Sequence, residues 1–137
     1  MKLNKLLKLH HFGLAVSNFK AARLFYKAIG YRISKTYYDK FQNVKIILCT
    51  SKTEPTIELI SSLKGKSPIK GYLKNYNEVF YHSCYEFNDK EVPYILKKKF
   101  NAKCVLNPIK AKIFGNRKIS FYYIKDVGLI ELLDNVK

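Results

Sequence analysis

GLIELLD, residues 128–134, carries Glu131 with apolar neighbours on both sides, Ile130 and Leu132. An unpaired carboxylate buried in such a segment costs several kcal/mol, so Glu131 needs a partner. The same triplet, IEL, stands at Ile57–Leu59, a shift of 73 residues. Applied elsewhere, that shift lays Lys45-Ile46 on Lys118-Ile119, so that in each half a lysine precedes the glutamate by 13 residues. Near the start of each half lies an alternating stretch led by histidine. HFGLAV begins at His11 and HSCYEF at His82, a shift of 71. A recurring order of elements is the mark of a duplicated module.

Within the first half, Leu9–Val16 alternates and reads as a strand. Ser17 or Asn18 can cap a helix over Phe19–Ile29, with Ala22, Phe25, Tyr26 and Ile29 spaced for one apolar face and Gly30 ending it. Tyr31–Tyr38, Val44–Thr50 and Thr56–Ile60 are β-branched or aromatic runs between polar turns. The linker over 61–78 contains Ser67-Pro68, a cap followed by a first-turn proline, which predicts a short helix. The second half repeats the order. Val79–Phe87 is a strand, and Asn88 or Asp89 caps a helix over Glu91–Phe100, with Pro93 tolerated near its start. Ala102–Leu106, Lys118–Ile124 and Leu129–Leu133 are strands, and 107–116 is a loop. The expectation is one α+β domain over 1–137, with βαβββ modules at 9–60 and 79–134.

Length and composition suit this. The chain of 137 residues is 47% hydrophobic, enough for one core without staples. No apolar run is long enough to span a membrane, and the N-terminal lysines and histidines interrupt any signal-peptide pattern. A soluble cytoplasmic protein is expected. Cys49, Cys84 and Cys104 are odd in number and without a CxxC pair, so disulfides and a cysteine-rich zinc site are not expected; each reads as a small buried hydrophobe. The formal charge is +16, which suits an acidic partner. Only 3 of the 26 basic residues are arginine, however, and the lysines are spread along the chain. Arginine makes the forks used for bases and phosphates, so nucleic acid is not the expected partner.

Alternation along strands puts His11 and Glu58 each on one face of its strand, and likewise His82 and Glu131. If the modules are related by a pseudo-twofold, two imidazoles and two carboxylates converge as ligands for a divalent metal, with further positions open. A cation would neutralise each buried carboxylate. The competing reading pairs each glutamate with a lysine, Lys45 or Lys118. Recurrence of the histidines in both halves favours the metal.

HFGLAV, the two IEL motifs, SPIKGYL, YHSCYEF and KDVGLIELL together resemble the vicinal oxygen chelate superfamily, nearest its methylmalonyl-CoA epimerase and glyoxalase-like branch, over residues 9–134. The resemblance implies an open, cupped, eight-stranded mixed sheet with helices outside. It implies His11, Glu58, His82 and Glu131 as ligands of a divalent ion (Zn, Ni, Co, Mn or Mg), with His10 and Tyr81 on the other strand face. It implies electrophilic catalysis, in which the metal holds substrate oxygens while Glu131 or Glu58 moves a proton next to a carbonyl. Ala15 stands where glutathione-dependent glyoxalase I has an arginine, four residues after the first ligand. Lys45 stands where some epimerases have an acid, and IKAKIFGNRK replaces their Gly-rich loop. The expected activity is an isomerase or epimerase acting on a small anionic substrate, possibly linked to coenzyme A or a carrier protein, in a homodimer. The alternatives are glyoxalase I (lactoylglutathione lyase) and a non-catalytic ligand-binding or resistance protein.

Overall fold

In the computed structural model, residues 2–135 are described. The chain divides into two compact units, His11–Tyr81, and Met1–His10 with His82–Lys137. The cut falls inside the first strand, β1 (Leu7–Val16).

In the unit His11–Tyr81, β1 leads into α1 (Lys20–Ala28), β2 (Arg32–Ile33), β3 (Tyr37–Asp39), β4 (Val44–Thr50) and β5 (Thr56–Ser62). The strand order is β2-β4-β5-β1, with β3 also on β4. β1 runs parallel to β5, and the other pairs are antiparallel. Parallel neighbours need a crossover, which α1 and the intervening strands supply. Asn18 rather than Ser17 starts the helix, its Oδ1 accepting from the Lys20 N–H at 3.1 Å. Val44, Ile46, Ile47 and Cys49 of β4 and Ile57, Leu59 and Ile60 of β5 are buried. Leu14, Val16, Ile47, Cys49, Ile57 and Leu59 form a core with Phe19, against which Ala22 and Tyr26 of α1 pack. The other half of the expected apolar face of α1 is not covered: Phe25 and Ile29 are 57% and 56% exposed.

The expected strand Tyr31–Tyr38 is broken into β2 and β3. Ser34 is the reason. Its N–H donates to the Leu48 carbonyl, but its side-chain Oγ, not its own carbonyl, accepts from the Leu48 N–H. A side-chain oxygen that takes a ladder N–H in place of the backbone carbonyl interrupts the pairing. The described residues therefore hold nine strands where eight were expected.

The other unit takes in β6 (Glu78–Phe87) from His82 onward, α2 (Val92–Phe100), β7 (Lys103–Ala111), β8 (Arg117–Ile124) and β9 (Gly128–Asp134). Its order is β6-β9-β8-β7, with β6 parallel to β9. Asp89 Oδ1 accepts from Glu91 N–H at the head of α2. Asn101, left-handed at φ 53°, ends the helix. Val92 and Leu96 of α2 lie in a core with Tyr122, Ile124, Ile130 and Leu132. The opposite sheet face holds a second cluster of Cys84, Ala111, Ile119, Phe121 and Leu133. The class is thus α+β, with mixed, open sheet and two helices, as expected.

Two local expectations fail. Residues 68–73 form turns and no helix. One bond, Leu73 N–H to the Ile69 carbonyl, has helical spacing, and one such turn does not recover its nucleation cost. The supposed loop 107–116 is instead strand to Ala111, followed by a 3-10 turn over Lys112–Phe114. β7 is an edge strand with register shifts between Cys104 and Ile109, where Pro108 costs no ladder bond. Cys49 and Cys84 are buried as expected, but Cys104, on that irregular edge, is exposed.

Candidate metal centre

Each unit brings one histidine and one glutamate together by the same device. In the β1–β5 ladder Glu58 lies opposite Gly13, two residues after His11. In the β6–β9 ladder Glu131 lies opposite Cys84, two residues after His82. Residues two apart share a strand face, so each histidine leans diagonally toward its glutamate. His11 Nε2 is 3.5 Å from Glu58 Oε1, and His82 Nε2 is 3.4 Å from Glu131 Oε1. All four residues are buried, at 0%, 3%, 5% and 3% exposure in chain order.

The lysine reading of the glutamates fails on parity. Lys45 faces Ser61 in the β4–β5 ladder, whereas Glu58 faces Leu48. An odd offset along a strand reverses the face, so Lys45 points away from Glu58. Its ammonium lies 5.1 Å over the Phe19 ring. In the second unit Phe121 faces Glu131, and Lys118 is an odd number of residues from Phe121. It too belongs to the other face.

The donor set fits a divalent ion. Bonds of roughly 2.0–2.2 Å from imidazole nitrogen and carboxylate oxygen put tetrahedral ligand atoms about 3.4 Å apart. Both N···O separations fall there, and neutral imidazole with carboxylate is an ordinary donor mixture for zinc and its neighbours. The His82 ring is further fixed by Phe121, edge-on at 5.3 Å between centroids. Phe121 was not singled out in the sequence, although the shift of 73 places it on Leu48, the residue facing Glu58.

Other residues near these strands take separate parts. His10 packs edge-on against Phe114 at 5.3 Å, and Tyr81 packs against Tyr72 with the rings tilted by 44° at 5.2 Å. Glu86 shares the face of β6 with His82 and Cys84. Its Oε2 accepts from Arg117 Nη2 at 3.0 Å, while Arg117 Nε donates to the Asp134 carbonyl at 3.1 Å. Glu86 is four residues after His82, the place that Ala15 holds after His11. Burial pushes the Cys49 thiol up to about 11, with Arg23 opposing. Burial likewise raises the Tyr26, Tyr31 and Tyr122 phenols.

Residues 10–121 match the Glyoxalase/Bleomycin resistance protein/Dioxygenase superfamily. The chain belongs to this superfamily. The matched span contains His11, Glu58 and His82, and Glu131 lies beyond it. No curated protein matches the chain. Among solved structures, the methylmalonyl-CoA epimerase from Mycobacterium tuberculosis superposes with a TM-score of 0.78 at 19% identity, over 94% of this chain and 88% of that one. A hypothetical protein from Bacillus halodurans C-125 gives 0.79 at 21%, over 96% of both chains. The Streptomyces coelicolor methylmalonyl-CoA epimerase in complex with 2-nitronate-propionyl-CoA gives 0.77 at 19%, over 96% of this chain and 99% of that one. At these identities the likeness is one of fold. Among the described residues no helix is long and apolar enough to cross a membrane.

Proposed function

We propose that His11, Glu58, His82 and Glu131 hold one divalent metal ion, and that the protein is a metal-dependent isomerase or epimerase. Its substrate would be an acyl thioester or related small anion, from which a proton next to the carbonyl is removed and replaced. One observation carries this reading: two buried His–Glu pairs set by equivalent registers, each with its N and O spaced for ligands of a common ion.

A metal here would stabilise the negative charge that develops on the carbonyl oxygen. The chain's own residues do the rest. One carboxylate, Glu131 in our assignment, takes the proton from carbon, and the bonding pair moves toward the carbonyl oxygen. Glu58 is assigned to relay a proton from solvent to the other side of the carbon, which inverts the centre. The apolar residues on the face of Glu131, namely Ile119, Phe121 and Leu133, exclude water and strengthen these charge effects.

Epimerase chemistry is favoured over glutathione-dependent glyoxalase I because Ala15 offers no cation for a thiol cofactor, and because structural neighbours include methylmalonyl-CoA epimerases. The test is metal analysis of the purified protein, followed by solvent deuterium uptake into methylmalonyl-CoA. Stoichiometric metal and deuterium at the α-carbon are expected. Metal content unchanged by His82→Ala would overturn the metal centre. Turnover of the methylglyoxal–glutathione hemithioacetal without exchange would establish the lyase instead. Tight ligand binding with neither metal nor turnover would establish a binding protein.

A further inference from the structure

The two modules differ on the sheet face that carries their helices. In the first, that face is closed. Ile47 of β4 is fully buried in a cluster with Phe19, and Lys45 lies over the Phe19 ring. The shift of 73 lays Ser120 on Ile47 and Lys118 on Lys45, and the shift of 71 lays Lys90 on Phe19. The second module therefore has a serine and a lysine where the first has its two plugging hydrophobes. What results is a cavity of about 190 Å³ between β8 and the head of α2.

Its chemistry is specific. Phe87, Pro93 and Pro108 give it apolar walls. Ser120 lines it while only 4% exposed, and its hydroxyl makes no hydrogen bond among the described residues. A serine hydroxyl lining a cavity can donate to a bound anion. Lys90 and Lys118 bring two ammonium groups, and neither has an ion pair among the described residues. Asp134 also reaches the cavity, so two cations stand against one carboxylate. Residues 118, 120 and 122 alternate with Phe121, which faces Glu131. The cavity thus lies across the sheet from the His82–Glu131 pair.

We propose that this cavity is a second binding site, for a small organic anion: a carboxylate or phosphate monoester with a ring-sized apolar part. The oxyanion would accept from Ser120 Oγ and the two lysines, and the apolar part would lie against Phe87 and the prolines. The cavity is smaller than the roughly 300 Å³ at which pockets for drug-sized ligands begin, which suits a ligand smaller than a nucleotide. The proposal does not depend on the metal centre.

The test is a two-dimensional amide NMR titration of the full-length protein with benzoate, phenyl phosphate and inorganic phosphate. Saturable shifts centred on Lys90, Ser120 and Tyr122 are expected. The tighter of benzoate and phenyl phosphate identifies the headgroup, and inorganic phosphate, lacking an apolar part, should bind at least about tenfold more weakly. Ser120→Ile, which copies the first module, should abolish saturation without lowering the melting temperature. Lys118→Gln should weaken binding in a protein whose cavity is intact, and a chelator should change nothing. Shifts that never saturate, that spread over the other lysines, or that persist unchanged in Ser120→Ile overturn the site.

Discussion

His82 and Glu131 stand on adjacent parallel strands with Nε2 and Oε1 3.4 Å apart, and His11 with Glu58 reproduces the relationship at 3.5 Å. In both cases the glutamate's ladder partner, Cys84 or Gly13, lies two residues beyond the histidine. If the four residues share an ion, removing it costs the stability that binding confers, about 2.7 kcal/mol at a free metal concentration one hundred times Kd. A chelator should lower the melting temperature of the wild type and leave His82→Ala unmoved. Equal responses of the two proteins would count against a metal held by His82.

Glu131→Gln keeps the size and one oxygen of the side chain but loses the base. General-base catalysis contributes typically about 10²–10⁴-fold, so deuterium exchange into methylmalonyl-CoA should fall within that range while the protein stays folded by circular dichroism. Metal content measured on the same sample separates loss of the base from loss of the ion. Exchange at the wild-type rate would remove Glu131 from the proton transfer.

Lys45 and Lys118 point away from the glutamates, so Lys45→Ala and Lys118→Ala should leave metal content and exchange rate unchanged. Lys45→Ala should still lose the contact with Phe19, about 0.5–1 kcal/mol, visible in urea unfolding. A lysine variant that changed metal content would contradict the strand parity described above.

The Cys49 thiol, ordinarily near 9.0, is pushed up to about 11 by burial. Between those values the unfolded chain has lost this proton while the folded chain keeps it. The unfolded state then binds fewer protons, so stability falls as pH rises through that window, by on the order of 2 kcal/mol in all. Urea midpoints of wild type and Cys49→Ala should converge on going from neutral pH to pH 10.5 or so. In the native state a thiol reagent should label Cys104, which is exposed, ahead of Cys49 and Cys84, which are buried.

Leu59 and Leu132 are fully buried on the helix-covered faces of the two modules. Replacing either with alanine should cost about 2–5 kcal/mol through lost contacts and a residual cavity. Metal content should be retained wherever the variant folds, because both side chains lie on the face opposite the glutamates. Denaturant unfolding with parallel metal analysis measures both.

The sequence by itself determined the α+β class and pointed to His11, Glu58, His82 and Glu131 as polar residues on strand faces. Each of these is periodic: the shift of 73 joins the IEL triplets, and alternation fixes which residues share a strand face. What it left open was pairing between strands. The choice between lysine and histidine as the partner of each glutamate depended on the β4–β5 and β8–β9 registers, and a one-residue slip would have reversed it. The break at Ser34, the uncovered Phe25 and Ile29 and the exposed Cys104 were likewise decided by contacts distant in sequence. So was the cavity beside Ser120. A serine in a strand is unremarkable until the matching position, Ile47, is seen filled from behind by Phe19, which the second module replaces with Lys90. Local pattern specifies faces and elements; only tertiary packing determines which faces meet and which are left open.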